Sequence, residues 1–137
     1  MSALLMDAQT DRTRPQGLRI LIVEDDPNSR WVLCALMRRL GYDCQVAVDG
    51  QEALLMVASF KPQAILMDLM MPVLDGLETT RRLKADATTR GIPILALTGN
   101  STPIGERAAR SAGCDDFLTK PVVFHDLLKR LHDQVGD

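Results

Sequence analysis

The sequence predicts an α/β fold, a doubly wound five-stranded parallel sheet with helices on both faces, and three observations carry that expectation. Short apolar runs alternate with segments of helical periodicity, five times over. The runs are continuously apolar, as strands covered on both faces require. Each run is followed by a helix, and parallel strands, which hairpins cannot join, need such crossovers, almost always right-handed.

Taken in order, Arg19 to Val23 (RILIV) reads as the first strand. Pro27 sets up a helix in which Leu33, Leu36, Met37 and Leu40 recur at helical spacing, and Gly41 ends it as a C-terminal cap. Cys44 to Val48 is a weaker strand, and Ala53, Met56, Val57 and Phe60 line a second helix that stops before Pro62. Ala64 to Met67 (AILM) forms the third strand and leads into Asp68. After a loop through Pro72 comes a third helix, roughly Leu77 to Ala85, whose polar content predicts that most of it faces water.

Ile94 to Leu97 is the fourth strand. Thr102 and Pro103 read as cap and first turn of a fourth helix, a poor one because Gly105, Ser111 and alanines occupy it. Phe117 to Thr119 is the fifth strand. Phe124, Leu127, Leu128, Leu131 and Val135 then mark the clearest amphipathic helix of the chain.

A length of 137 residues suits one domain, which we set at residues 18–137, with residues 1–17 as a tail or linker. With 46% apolar and 25% charged residues the composition is that of a globular protein rather than a disordered chain. A net charge of -2 without a basic run gives no footprint for nucleic acid, so no direct nucleic-acid binding is expected. Cys34, Cys44 and Cys114 lack CxxC spacing and read as small apolar fillers in a reducing cytoplasm. No stretch is apolar for long enough to span a membrane, and the opening residues do not read as a signal peptide.

In doubly wound sheets the site lies beyond the carboxyl ends of the strands, so the residues there are the ones to inspect. Glu24, Asp25 and Asp26 follow the first strand, Asp68 the third, Thr98 the fourth, and Lys120 with Pro121 the fifth. Carboxylates gathered at one rim repel one another, and a small hard cation such as magnesium relieves that repulsion. Asp26, directly before Pro27, reads as a helix-start residue rather than a ligand. Pro72 and Gly76 shape the loop that follows Asp68.

VEDD at 23 to 26, MDLMMPVLDG at 67 to 76, ALTG at 96 to 99 and FLTKP at 117 to 121 resemble, in order and spacing, the motifs of response-regulator receiver domains. The likeness covers about residues 18 to 136. It implies a flavodoxin-like (βα)5 sheet of order 2-1-3-4-5 and a phosphorelay function in which Asp68 accepts a phosphoryl group from a phosphohistidine. It further implies magnesium held by Asp25 and Asp68 directly, by Glu24 through water and by the backbone carbonyl of Met70. Lys120 and Thr98 would meet the phosphoryl oxygens, and Phe117 would turn inward on activation, so that the face built from the fourth helix, fifth strand and fifth helix is switched.

The resemblance also implies a histidine kinase or histidine phosphotransfer protein as donor, a downstream protein partner, a monomer or weak homodimer, and no enzymatic activity beyond the domain's own phosphorylation and dephosphorylation. Wording such as MDLMMPVLDGLETTRR is similar to receivers joined to hybrid kinases, and the chain fits either a stand-alone regulator or a receiver cut from a longer protein.

Two positions depart from the family pattern: Phe117 stands where tyrosine is common, and Val123 where many relatives carry a helix cap, at a cost of about 0.5–2 kcal/mol. Met70 and Asn100 fall at variable positions beside the site. Trp31 is expected to be partly exposed near the active end and to serve packing, and His125 and His132 to be surface residues.

Other classes fit less well. A small-molecule enzyme on this fold would show a glycine-rich phosphate loop after the first strand, which is missing. A haloacid-dehalogenase-like phosphatase would carry a second aspartate where Met70 stands. A mere interaction module would not need Asp25, Asp68, Thr98 and Lys120 together.

Overall fold

The structure is a computed structural model that describes residues 17–69, 75–99 and 103–135. Strands and helices alternate as β1 (Arg19–Val23), α1 (Pro27–Arg39), β2 (Asp43–Ala47), α2 (Gly50–Phe60), β3 (Ala64–Asp68), α3 (Gly76–Ala85), β4 (Ile94–Thr98), α4 (Pro103–Ala112), β5 (Asp116–Thr119) and α5 (Phe124–Val135). All four strand pairings are parallel, and the sheet order is β2-β1-β3-β4-β5. The expected doubly wound architecture is what the chain adopts.

Because strand side chains alternate, the apolar runs feed two cores at once. Ile20, Ile22, Leu66, Leu95 and Leu97 point to one face, where α1 (Leu33, Met37) and α5 (Leu127, Leu131) cover them. Leu21, Val23, Ile65, Met67 and Ile94 point to the other, under α2 (Ala53, Val57), α3 (Leu83) and α4 (Ala109). Each fully buried Leu or Ile contributes about 1.5–3 kcal/mol, so truncating Leu66 to alanine at the centre of the sheet would cost about 2–5 kcal/mol.

Three helices start on an aspartate cap. Asp26 Oδ2 accepts from the Ser29 N–H at 2.8 Å, with Pro27 in the first turn of α1, which bears out the helix-start reading of Asp26. Asp49 and Asp75 cap α2 and α3 in the same way, accepting from Glu52 N–H and Glu78 N–H at 2.8 Å each. The Glu52 carboxylate reaches back past the cap and accepts from the Val48 N–H at 2.8 Å, a bond at the start of α2 that the sequence reading missed. Gly41, at φ 98°, follows α1 in the left-handed conformation expected of it.

Several expectations need correction. β2 runs one residue earlier than Cys44–Val48, because Asp43 pairs with Arg19 and leaves Val48 beyond the ladder, exposed. α3 starts at Gly76, and it does not mostly face water: Thr79, Thr80 and Leu83 are buried. Threonine can be buried there because the Thr79 hydroxyl donates to the Asp75 carbonyl at 2.8 Å and Thr80 Oγ1 accepts from Cys114 Sγ at 3.9 Å. Trp31 is exposed as expected, but at 72% the exposure leaves packing a minor part of its role.

The poverty of α4 is visible in its anchors, the small side chains of Ala109 and Ala112. All three cysteines are buried and free. Among the described residues no helix is long and apolar enough to cross a membrane. Met70, Pro72, Asn100 and Thr102, to which the sequence reading gave roles, lie outside the described residues.

Candidate functional site

The sheet order reverses direction between β1 and β3, and the crevice beyond their carboxyl ends is where this fold places a site. β1 hands over there to Glu24 and Asp25, and β3 ends on Asp68. One oxygen from each of these three carboxylates lies within 4.8 Å of the others. Glu24 is fully buried and Asp68 is 3% exposed, whereas Asp25 faces solvent.

Buried carboxylates need partners. Glu24 has two: Oε2 accepts from the Asp26 N–H at 3.1 Å, and Oε1 accepts from the Lys120 ammonium at 2.7 Å. The same ammonium stands 3.6 Å from Asp68 Oδ2. Partial burial pulls the Lys120 pKa down, but the hydrogen bond it donates to Glu24 and the charges of Asp68 and Glu24 outweigh it, so the net value lies above that of an ordinary lysine. Lys120 is therefore a permanent cation at the rim, not the solvated lysine that a strand end alone would suggest.

Thr98, 3% exposed, closes β4 next to this group, and its carbonyl accepts from the Lys120 N–H at 2.7 Å. Phe117 on β5 is half-buried against the Leu21 face of the sheet, opposite Ala96 in register. His125 is exposed and His132 half-buried on α5, as surface residues. Val123 is exposed, and its carbonyl accepts the first helical bond of α5 from Leu127 at 3.0 Å, so it does occupy the cap position.

Two residues in contact with the backbone of the site escaped the sequence reading as such. A Cβ on Gly76 would lie 2.2 Å from the Asp68 carbonyl oxygen and 2.7 Å from Leu69 Cα, so only glycine lets α3 start this close to the end of β3. Arg30 Nη1 donates to the carbonyls of Glu24 at 2.9 Å and Asp25 at 3.2 Å. The glycine was legible as a loop former, but its contact with Asp68 was not.

The donor set is all oxygen, and its net charge is negative, since three carboxylates face one ammonium. That chemistry fits a hard divalent cation such as magnesium, with Asp25 open to solvent where water ligands would complete the shell. Beside the rim a cavity of about 580 Å³ is lined by Val32 and Leu36 of α1, by Lys120 and Val122 after β5, and by Phe124 at the start of α5.

Comparison with known proteins agrees with this fold. The response regulator receiver domain family matches residues 20–132. Response regulator MprA of Mycolicibacterium vanbaalenii is 42% identical over 114 residues, which is 83% of this chain and 48% of that protein. The MprA of Mycobacterium tuberculosis H37Ra is 43% identical over 115 residues, 84% of this chain and 49% of that protein. The chain thus spans about half the length of the curated relatives it matches.

Among solved structures, the receiver domain of sensor histidine kinase PA1611 from Pseudomonas aeruginosa PAO1, with magnesium coordinated in its active-site cleft, superposes with a TM-score of 0.82. It is 37% identical and covers 88% of this chain and 99% of that one. The signal receiver domain of a histidine kinase from Syntrophus aciditrophicus is similar at a TM-score of 0.80 and 32% identity, over 86% of this chain and 89% of that one.

Proposed function

The chain belongs to the response regulator receiver domain family, the phospho-accepting modules of two-component signalling, and from that premise we propose that Asp68 is the acceptor and that Glu24, Asp25, Thr98 and Lys120 serve its phosphorylation. The observation that carries this assignment is the convergence of Glu24, Asp25 and Asp68 within 4.8 Å beside the Lys120 ammonium.

In the reaction a carboxylate oxygen of Asp68 attacks the phosphorus of a phosphohistidine. A P–O bond forms, the P–N bond breaks, and its electron pair leaves on the imidazole nitrogen of the donor. Asp25 and Asp68, with Glu24 through water and the Met70 carbonyl, would hold magnesium, which supplies positive charge to the phosphoryl oxygens. Lys120, already 3.6 Å from Asp68 Oδ2, adds a mobile point charge where negative charge accumulates. The Thr98 hydroxyl takes a phosphoryl oxygen as hydrogen-bond partner and draws the end of β4 toward it.

The acyl phosphate replaces one negative charge by about two at a packed rim. Such a local change becomes a signal through a bistable element, and α4, anchored by alanines, is the element we assign; Phe117 on β5 moves with it, so the α4-β5-α5 face is the output surface. The apolar groove between α1 and the start of α5, continuous with the rim through Lys120, receives the donor protein, a histidine kinase or histidine phosphotransfer protein. On this reading residues 18–137 form the receiver domain behind a tail or linker, act in the cytoplasm as a monomer or weak homodimer, signal through a protein partner without touching nucleic acid, and catalyse only their own phosphorylation and dephosphorylation.

Incubation with acetyl phosphate and magnesium, followed by intact mass measurement, tests the assignment. Wild type gains one phosphoryl group and Asp68→Asn gains none. An adduct that persists in the variant would move the acceptor elsewhere.

A further inference from the structure

The hydrogen bonds of α1 single out one residue to which the phosphorylation chemistry above assigns no part. Arg30, in the first turn of α1, directs a single nitrogen, Nη1, at two consecutive carbonyls, Glu24 O at 2.9 Å and Asp25 O at 3.2 Å. That nitrogen carries two hydrogens, so one amino group satisfies both acceptors. Successive carbonyls of a strand point to opposite sides, and their convergence on one nitrogen means that the chain has turned out of β1 at this point.

We infer that Arg30 is a positioning residue for the cation-binding loop: it pins the turn after β1 and thereby sets the direction of the Asp25 carboxylate. The inference rests on the proposed role of Asp25 as a magnesium ligand. Of the three rim carboxylates, Asp25 depends most on such help. Glu24 is anchored through both its oxygens, by Asp26 N–H and Lys120, and Asp68 is buried at the end of β3. Asp25 is exposed, and its aim toward the other two comes from the backbone that carries it.

The Arg30 backbone adds to the same restraint, since its N–H donates to the Asp26 carbonyl at 2.9 Å. Removing Arg30 leaves two carbonyls without their donor and lets the turn sample other orientations, which weakens cation binding without touching Asp68.

The test measures magnesium affinity by calorimetry, and the rate of labelling by acetyl phosphate across magnesium concentrations, in wild type, Arg30→Ala, Arg30→Lys and Asp25→Asn. Arg30→Ala is expected to raise the magnesium Kd about ten-fold, in the range seen when residues that orient metal ligands are removed. Saturating magnesium then restores its labelling rate to near that of wild type, and Arg30→Lys, which keeps a cationic donor on a less rigid stem, falls between the two.

A lower melting temperature without a change in Kd, or a labelling rate that stays low at saturating magnesium, would overturn the inference. Undiminished magnesium binding in Asp25→Asn would instead remove the cation site proposed above, and the inference with it. If Arg30→Ala fails to fold, Arg30→Lys alone decides, through its Kd.

Discussion

Lys120 stands closer to Glu24, at 2.7 Å from Oε1, than to Asp68, at 3.6 Å from Oδ2. The lysine at the rim is thus also the counter-ion of a fully buried glutamate, and these two roles give it opposite demands on stability and on chemistry.

Removal of the ammonium leaves Glu24 buried with an unpartnered oxygen. Lys120→Met should therefore destabilise the fold by about 2 kcal/mol, less than the 3–5 kcal/mol of a fully buried pair because Lys120 is 29% exposed. Urea unfolding measures it. A variant as stable as wild type would show that Glu24 does not depend on Lys120.

Asp68→Asn has the opposite sign. Three carboxylates within 4.8 Å share one ammonium, and loss of a negative charge relieves their repulsion. Without divalent cations its melting temperature should exceed that of wild type by a few degrees, the shift that about 1 kcal/mol produces in a domain of this size. A decrease would contradict the crowding argument.

Magnesium should stabilise wild type by mass action, by about 1.4 kcal/mol at ten times its Kd. Asp25→Asn, which removes the solvent-facing carboxylate proposed as a ligand, should lose most of that gain. Thermal melts with and without the ion, at constant ionic strength, separate the specific effect from screening.

Gly76→Ala places a methyl group 2.2 Å from the Asp68 carbonyl oxygen, against backbone that no rotamer change can move. We expect a loss of about 1–3 kcal/mol and slower labelling of Asp68, because α3 must retreat and drag the end of β3 with it. Denaturant unfolding and the acetyl phosphate reaction read the two effects on one sample. A methyl tolerated in both would mean that α3 does not constrain Asp68.

Tyr42 provides a pH dependence remote from the site. Its hydroxyl is buried without a hydrogen-bond partner, and desolvation pushes its pKa from 10.0 up to about 12. A phenol held neutral contributes stability that is complete below pH 10 and is lost as pH rises toward 12, by roughly 3 kcal/mol across that window. The chain has one tyrosine, so absorbance reports its ionisation directly. Tyr42→Phe should abolish this alkaline loss and leave stability at neutral pH unchanged or higher, since no bond is broken. An equal alkaline loss in the variant would exclude Tyr42 as its source.

Much of the rim was legible in advance because of where the apolar runs stop. Once RILIV and AILM are recognised as buried strands, Glu24, Asp25 and Asp68 must emerge at one edge of the sheet, and Lys120 and Thr98 follow by the same reasoning. Asp26 before Pro27 was legible as a cap for a local reason, the three-residue reach of an aspartate side chain. Local rules misled where burial depended on a neighbour. Thr79 and Thr80 look solvent-facing by composition and are buried because α3 packs on the sheet, while Trp31, expected to be partly exposed but to serve packing, is largely exposed because α1 turns that side outward.

By itself the sequence determined the alternation of strands and helices, the two-faced core and the set of charged residues at the strand ends, all of which follow from periodicity and from where it breaks. Only the tertiary structure decided how those charges pair. Lys120 and Glu24 are 96 residues apart, and their 2.7 Å bond exists because β5 and β1 end at the same level of one parallel sheet. The clamp of Arg30 on the turn after β1 and the approach of Gly76 to Asp68 belong to the same class. They depend on where a helix sits against a strand end, a distance set by packing that no spacing along the chain encodes.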